Sequence, residues 1–205
     1  MNTILIANPK GGCGKTTLSV NIAGYLANRG KRVALFDMDR QQSAALWLDT
    51  RPYDLPIVHS KEHGRPDDGS IDWLVIDSGA GAAGGNLAYS LIKQTNKIIV
   101  PITPSLFDLQ ASQDFIKELI EEKKVRDSRC RIGVVGMRME PRTRAAHALE
   151  YFLSTLDLPV LAFLRETQVY VNAAFEGKSL FDLPHYLAER ELEQWAYLQH
   201  WLERD

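Results

Sequence analysis

At 205 residues the chain is long enough for one sizeable core and short for two domains. Its net charge of −2 does not advertise nucleic-acid binding, so any such surface must rest on local charge. No apolar run approaches the roughly 20 residues of a membrane-spanning helix. The two cysteines, Cys13 and Cys130, make no disulfide framework and suit a reducing compartment. The first strand follows the N-terminus directly, so no leader peptide is expected.

Residues 3–8 read as a buried strand, and Pro9-Lys10-Gly11-Gly12-Cys13-Gly14-Lys15-Thr16-Thr17 leads from it into a helix over 16–29. Strand, glycine-rich turn and helix in that order form a phosphate-binding loop. Glycines let backbone N–H groups converge on phosphate oxygens, and the helix start adds unpaired N–H groups and a positive dipole end. Lys15 is the point charge for the β/γ-phosphates, and the Thr16 hydroxyl suits Mg2+. The strict pattern G-x-x-x-x-G-K-[ST] fails, because Pro9 stands where its first glycine would fall and Lys10 adds a second lysine.

Gly30 ends the first helix, and Arg32 to Asp37 read as a second buried strand. Asp37 and Asp39, two apart at a strand end, point the same way, an arrangement that suits Mg2+ held through water or an oriented attacking water. A short helix is expected over 42–50, then a turn-rich stretch to residue 70 with one minor strand at Ile57-Val58. His59 and His63 fall in that loop and read as solvated side chains rather than metal ligands. Ile71 to Asp77 is a third buried strand, and an aspartate closing an apolar strand helps to hold Mg2+. Asn86 can cap a helix to about residue 95. A fourth strand runs from Lys97 into the turn Pro104-Ser105, followed by a helix over 109–124 with Leu109, Phe115, Ile116, Leu119 and Ile120 buried. A strand over 132–136, a helix over 142–156, a strand over 160–163 and a C-terminal helix over 184–202 complete the pattern. Strands alternating with helices predict a single-domain α/β fold, a mostly parallel sheet with helices on both faces.

Residues 10–16, K-G-G-x-G-K-T, resemble the deviant Walker motif of the ParA/MinD superfamily of dimeric ATPases, which implies a P-loop NTPase fold. The 37–43 segment resembles that family's D-x-D-P-Q switch, with Arg40 in the place of proline. Residues 77–81 resemble its D-T-P-P-G switch without the prolines, and Gly79, Gly81, Gly84 and Gly85 predict an unusually free loop. Residues 97–105 resemble the V-P-V-x-P-S segment of ParA-type ATPases, and 165–179 resemble an R-x-x-x-x-Y…G-x-S tail. The resemblance implies ATP and Mg2+ as cofactors, phosphate contacts from Gly11 to Thr17, and metal contacts from Thr16, Asp37 and Asp77. It also implies Lys10, Lys15 and Asp39 as catalytic residues, with Lys10 reaching across an ATP-bound homodimer and Asp39 positioning the hydrolytic water. In relatives an asparagine often follows the fifth strand and contacts adenine; Met137-Arg138 stands there instead, so no adenine contact carries over.

Nine bases face five acids between Lys117 and Arg144, a stretch suited to non-specific DNA binding through Lys117, Lys123, Lys124, Arg126, Arg129, Arg142 and Arg144. With no helix-turn-helix ahead of the first strand, site-specific reading is not expected. The C-terminal helix, with six acids against two bases from 181 to 205, suits core packing rather than the membrane-binding tail of MinD relatives. The expected function is a slow, partner-stimulated ATPase, cytoplasmic and nucleoid-associated, that binds DNA as a dimer and positions a cargo through a cargo-bound activator protein. The alternatives are a MinD-like membrane-cycling regulator and a metabolic ATP-dependent enzyme on the same scaffold.

Overall fold

A computed structural model describes residues 1–60, 70–80, 95–125 and 129–204, with the side chains of 122–125 excepted. Its seven strands are β1 (Asn2–Ile6), β2 (Val33–Asp37), β3 (Val58–Ser60), β4 (Trp73–Asp77), β5 (Lys97–Ile102), β6 (Arg131–Met139) and β7 (Val160–Arg165). The helices among the described residues are α1 (Lys15–Asn28), α2 (Ser43–Thr50), α3 (Leu106–Val125), α4 (Arg144–Ser154), α5 (Gln168–Phe175) and α6 (His185–Glu203). The strands form one sheet, ordered β3-β2-β4-β1-β5-β6-β7, and every described pairing is parallel.

A parallel sheet covered on both faces needs apolar side chains at odd and even positions alike. Ile4 and Ile6 pack toward α1, α2 and α6, whereas Leu5 and Ala7 pack toward α3 and α4. The β1 run is therefore apolar without alternation, as expected for a central strand. Gly30, with φ +72°, donates its N–H to the Ala27 carbonyl and ends α1 where the sequence predicts. The Thr143 hydroxyl accepts the Ala146 N–H at 3.1 Å and starts α4.

Several elements differ from expectation. The third helix begins at Leu106 rather than 109, because the Ser105 carbonyl already accepts the N–H groups of Asp108 and Leu109. The strand expected over 132–136 is β6, which continues to Met139, three residues past the expected end. The 165–179 tail contains α5, which the motif did not reveal, and its G-x-S end is a packing element. Ser179 is buried and bonded to Asp182, and the Arg51 guanidinium pairs with Asp182 at 2.9 Å. The C-terminal helix packs on the core through Ala188, Trp195, Leu198 and Trp201, although Leu187 is half-exposed. The expected helix after Asn86 lies outside the described residues, as do His63, Gly81, Gly84 and Gly85.

Candidate nucleotide site

The glycine-rich loop leaves β1, the middle strand of the sheet, and enters α1 at Lys15. Loops at the carboxyl ends of parallel strands are where such sheets bind ligands. Gly12 and Gly14 have φ of +73° and +94°, which side-chain-bearing residues rarely adopt. Gly14 is also closely overlain: a Cβ there would sit 2.5 Å from the Met137 Cε, so the methionine tip would have to move, and the positive φ disfavours a side chain there in any case.

A buried asparagine fixes the loop's entry. Asn8 Nδ2 donates to the Pro101 carbonyl at 2.8 Å and to Ser112 Oγ at 2.9 Å, while its Oδ1 accepts the Lys10 N–H at 2.9 Å. These bonds tie the loop to β5 and α3. Lys15 is buried, and its Nζ donates to the carbonyls of Asn8 (3.1 Å) and Lys10 (2.6 Å). Lys10 is half-exposed, with its Nζ 3.8 Å from Asp108 Oδ1. Cys13 is buried under the loop, and burial pushes its thiol up, so it is a packing residue and not a nucleophile.

The three aspartates converge beside this loop but occupy different environments. Asp37 and Asp77 are register partners at the ends of β2 and β4. Asp37 is engaged by backbone: Oδ1 accepts the Asp39 N–H at 2.8 Å, and Oδ2 accepts the N–H groups of Ala44 and Ala45 at 2.8 and 3.1 Å. It thus caps α2 and shapes the loop that carries Asp39. Asp39 lines the cleft, with Oδ1 accepting the Gln41 N–H at 3.0 Å. Asp77 is buried, and both of its carboxylate oxygens and the Ser78 hydroxyl lack a hydrogen-bond partner among the described residues. Burial pushes its carboxyl up to about 6; the nearby Thr16 hydroxyl opposes this, and the charge of Asp37 adds to it. The Thr16 and Ser19 hydroxyls favour its charged form without making a hydrogen bond to it, and Ser19 donates to the Lys15 carbonyl.

A cleft of about 280 Å³ joins these parts, lined by Gly11, Gly12, Gly14, Lys15, Thr16, Thr17, Asp39, Gln41, Ser43, Ala80 and Arg138. A loop freed by its glycines was expected after Asp77; in its described part Gly79 instead permits close approach. A Cβ there would lie 3.1 Å from the Met38 carbonyl oxygen and 3.2 Å from the Asp39 Cα, so the two aspartate loops touch. A second cleft of about 450 Å³, mostly apolar, opens on the other side of Thr16 and Thr17 between α1, α2 and α5.

The basic stretch is divided by the fold. Lys117 is exposed on α3, and Arg129 is exposed just before β6. Arg142 and Arg144 are exposed beyond the other end of β6, and nine strand residues separate them from Arg129, on the order of 30 Å. The side chains of Lys123 and Lys124, and Arg126, lie outside the described residues.

Glycine-rich loop, buried lysine and strand-end aspartates on a parallel sheet define a nucleotide-binding α/β protein. The CobQ/CobB/MinD/ParA nucleotide binding domain profile matches residues 4–180, and the chain belongs to that family. It is 34% identical over 192 residues to the maintenance of carboxysome distribution protein A of Halothiobacillus neapolitanus, covering 88% of this chain and 87% of that protein. Among solved structures it resembles an ATP complex of a McdA variant from Cyanothece, with a TM-score of 0.74 at 17% identity, covering 100% of this chain and 98% of that one. It also resembles the MinD septum site-determining protein of Pyrococcus horikoshii with Mg-ADP, with a TM-score of 0.72 at 20% identity, covering 99% and 96%.

Proposed function

We propose that the chain is a Mg2+-dependent ATPase that dimerises on ATP, binds DNA without reading sequence, and positions a cargo through a cargo-bound activator protein. The observation that carries the nucleotide part is Asp77, a buried carboxylate beside the phosphate loop whose two oxygens have no hydrogen-bond partner among the described residues. Such a group is costly unless a ligand or cation completes it. Thr16 and Asp77 fit Mg2+, which would offset that burial and neutralise charge on the phosphates. Asp37 contributes by holding the Asp39 loop in place, because its own oxygens already serve backbone amides. Asp39 orients the attacking water. Lys10, held by Asp108 within its own subunit, moves to the nucleotide of a partner and stabilises phosphate charge there.

The cargo part rests on the likeness to the carboxysome distribution protein, which extends over most of both chains. A protein compartment is therefore the cargo proposed, with a nucleoid-associated dimer as its track. No helix among the described residues is long and apolar enough to cross a membrane. The apolar side of α6 is spent on the core, which favours this reading over membrane cycling.

Light scattering of wild type, Asp39→Ala and Lys10→Ala with ATP or ADP tests the switch. Asp39→Ala should hold ATP unhydrolysed as a dimer, while Lys10→Ala stays monomeric and inactive. Rapid hydrolysis by a strict monomer would overturn the mechanism.

A further inference from the structure

The phosphate cleft contains a cation that the motif does not include. Arg138 lines it together with Gly12, Gly14 and Thr17, is exposed, and has no hydrogen bond or ion pair among the described residues. The other cations of the loop are engaged: Lys15 donates to two carbonyls, and Lys10 lies against Asp108. Arg138 reaches the cleft through an irregular backbone. Its φ is +51°, and the pairing of β6 with β7 shifts register between Gly136 and Met139. That left-handed conformation is unfavourable for a residue that carries a side chain. The neighbouring Met137 is buried against Gly14, which fixes the strand end beside the loop. Asp39 and Gln41 enter from β2, two strands to one side of β1, and Arg138 enters from β6, two strands to the other.

We propose that Arg138 binds the polyphosphate of the nucleotide, its guanidinium donating to non-bridging oxygens from the β6 side. This rests on the nucleotide reading of the same cleft. A planar guanidinium can make two parallel bonds to a phosphate, which an ammonium cannot. It would add, within one subunit, a positive charge that the lysine motif alone does not supply.

The test is displacement of a fluorescent ATP analogue by ATP, ADP and inorganic tripolyphosphate, in wild type, Arg138→Ala, Arg138→Lys and Arg138→Gly. Arg138→Ala should weaken ATP, ADP and tripolyphosphate alike, by about 10–100-fold, the scale of a lost charged hydrogen bond. Arg138→Lys should recover part of the loss. Arg138→Gly, which suits the positive φ, should lose the same affinity while melting no lower than wild type, separating binding from folding. Tripolyphosphate bound by Arg138→Ala as tightly as by wild type overturns the proposal. So does a change confined to adenine-over-guanine preference, which would place the arginine on the base. Wild type that binds neither ATP nor tripolyphosphate overturns the nucleotide reading itself.

Discussion

Asp77 is the residue on which structure and chemistry meet most sharply. Its native carboxyl titrates near 6, above the roughly 3.8 of an unfolded chain. Between those values the native state binds more protons than the unfolded state, so stability falls as pH rises through that window. The full cost, up to about 3 kcal/mol, is present above pH 6 and absent below about pH 4. Without nucleotide and Mg2+, Asp77→Asn should therefore melt higher than wild type at pH 7.5, with the gap closing on acidification. With Mg-ATP the order should reverse, because the asparagine cannot hold the cation. Thermal melts across pH would show this; equal melting temperatures at every pH would mean that the carboxylate is not strained. The aspartate at the end of an apolar strand is legible in the sequence. Its lack of partners among the described residues is not, because that depends on how distant segments pack around it and on the Ser19 hydroxyl turning to the Lys15 carbonyl.

At the scale of elements, local patterns were readable and contacts between distant segments were not. The phosphate loop, α1 and the strand-end aspartates are continuous stretches whose residue types state their geometry. Asn8, which anchors the loop, acts through Ser112, 104 positions away, and the only sequence signal is a polar residue just past an apolar strand. Helix α5 (Gln-Val-Tyr-Val-Asn-Ala-Ala-Phe) carries β-branched and aromatic residues that give no clear helical stripe, and only Ala173 in it is buried. Asp37 shows how one residue serves two levels: read as a metal neighbour, it closes β2 and its carboxylate accepts two N–H groups from the first turn of α2. Asp37→Ala should destabilise the protein by about 1–2 kcal/mol, the cost of a lost helix cap. It should also lower hydrolysis by loosening the Asp39 loop. Denaturant unfolding checks the first effect, and an unchanged midpoint would leave the carboxylate free for the cation alone.

For the whole molecule, the parallel sheet places the ligand loops at one end and divides the basic residues between both. The sequence shows nine bases in one stretch, but β6 runs through the middle of it and carries Arg129 away from Arg142 and Arg144. Contiguity in sequence therefore overstated contiguity in space, and a DNA footprint gathered from both ends would need the second subunit to complete it. The proposed function requires ATP-driven assembly to create a DNA-binding surface. Binding of non-specific duplex DNA by wild type and Asp39→Ala, with ATP, ADP or no nucleotide across a salt series, tests it most directly. Binding should occur only with ATP, persist in Asp39→Ala, and weaken with salt at a log–log slope of about −0.9 per phosphate neutralised. Binding that ignores the nucleotide, or none in any state, would contradict it.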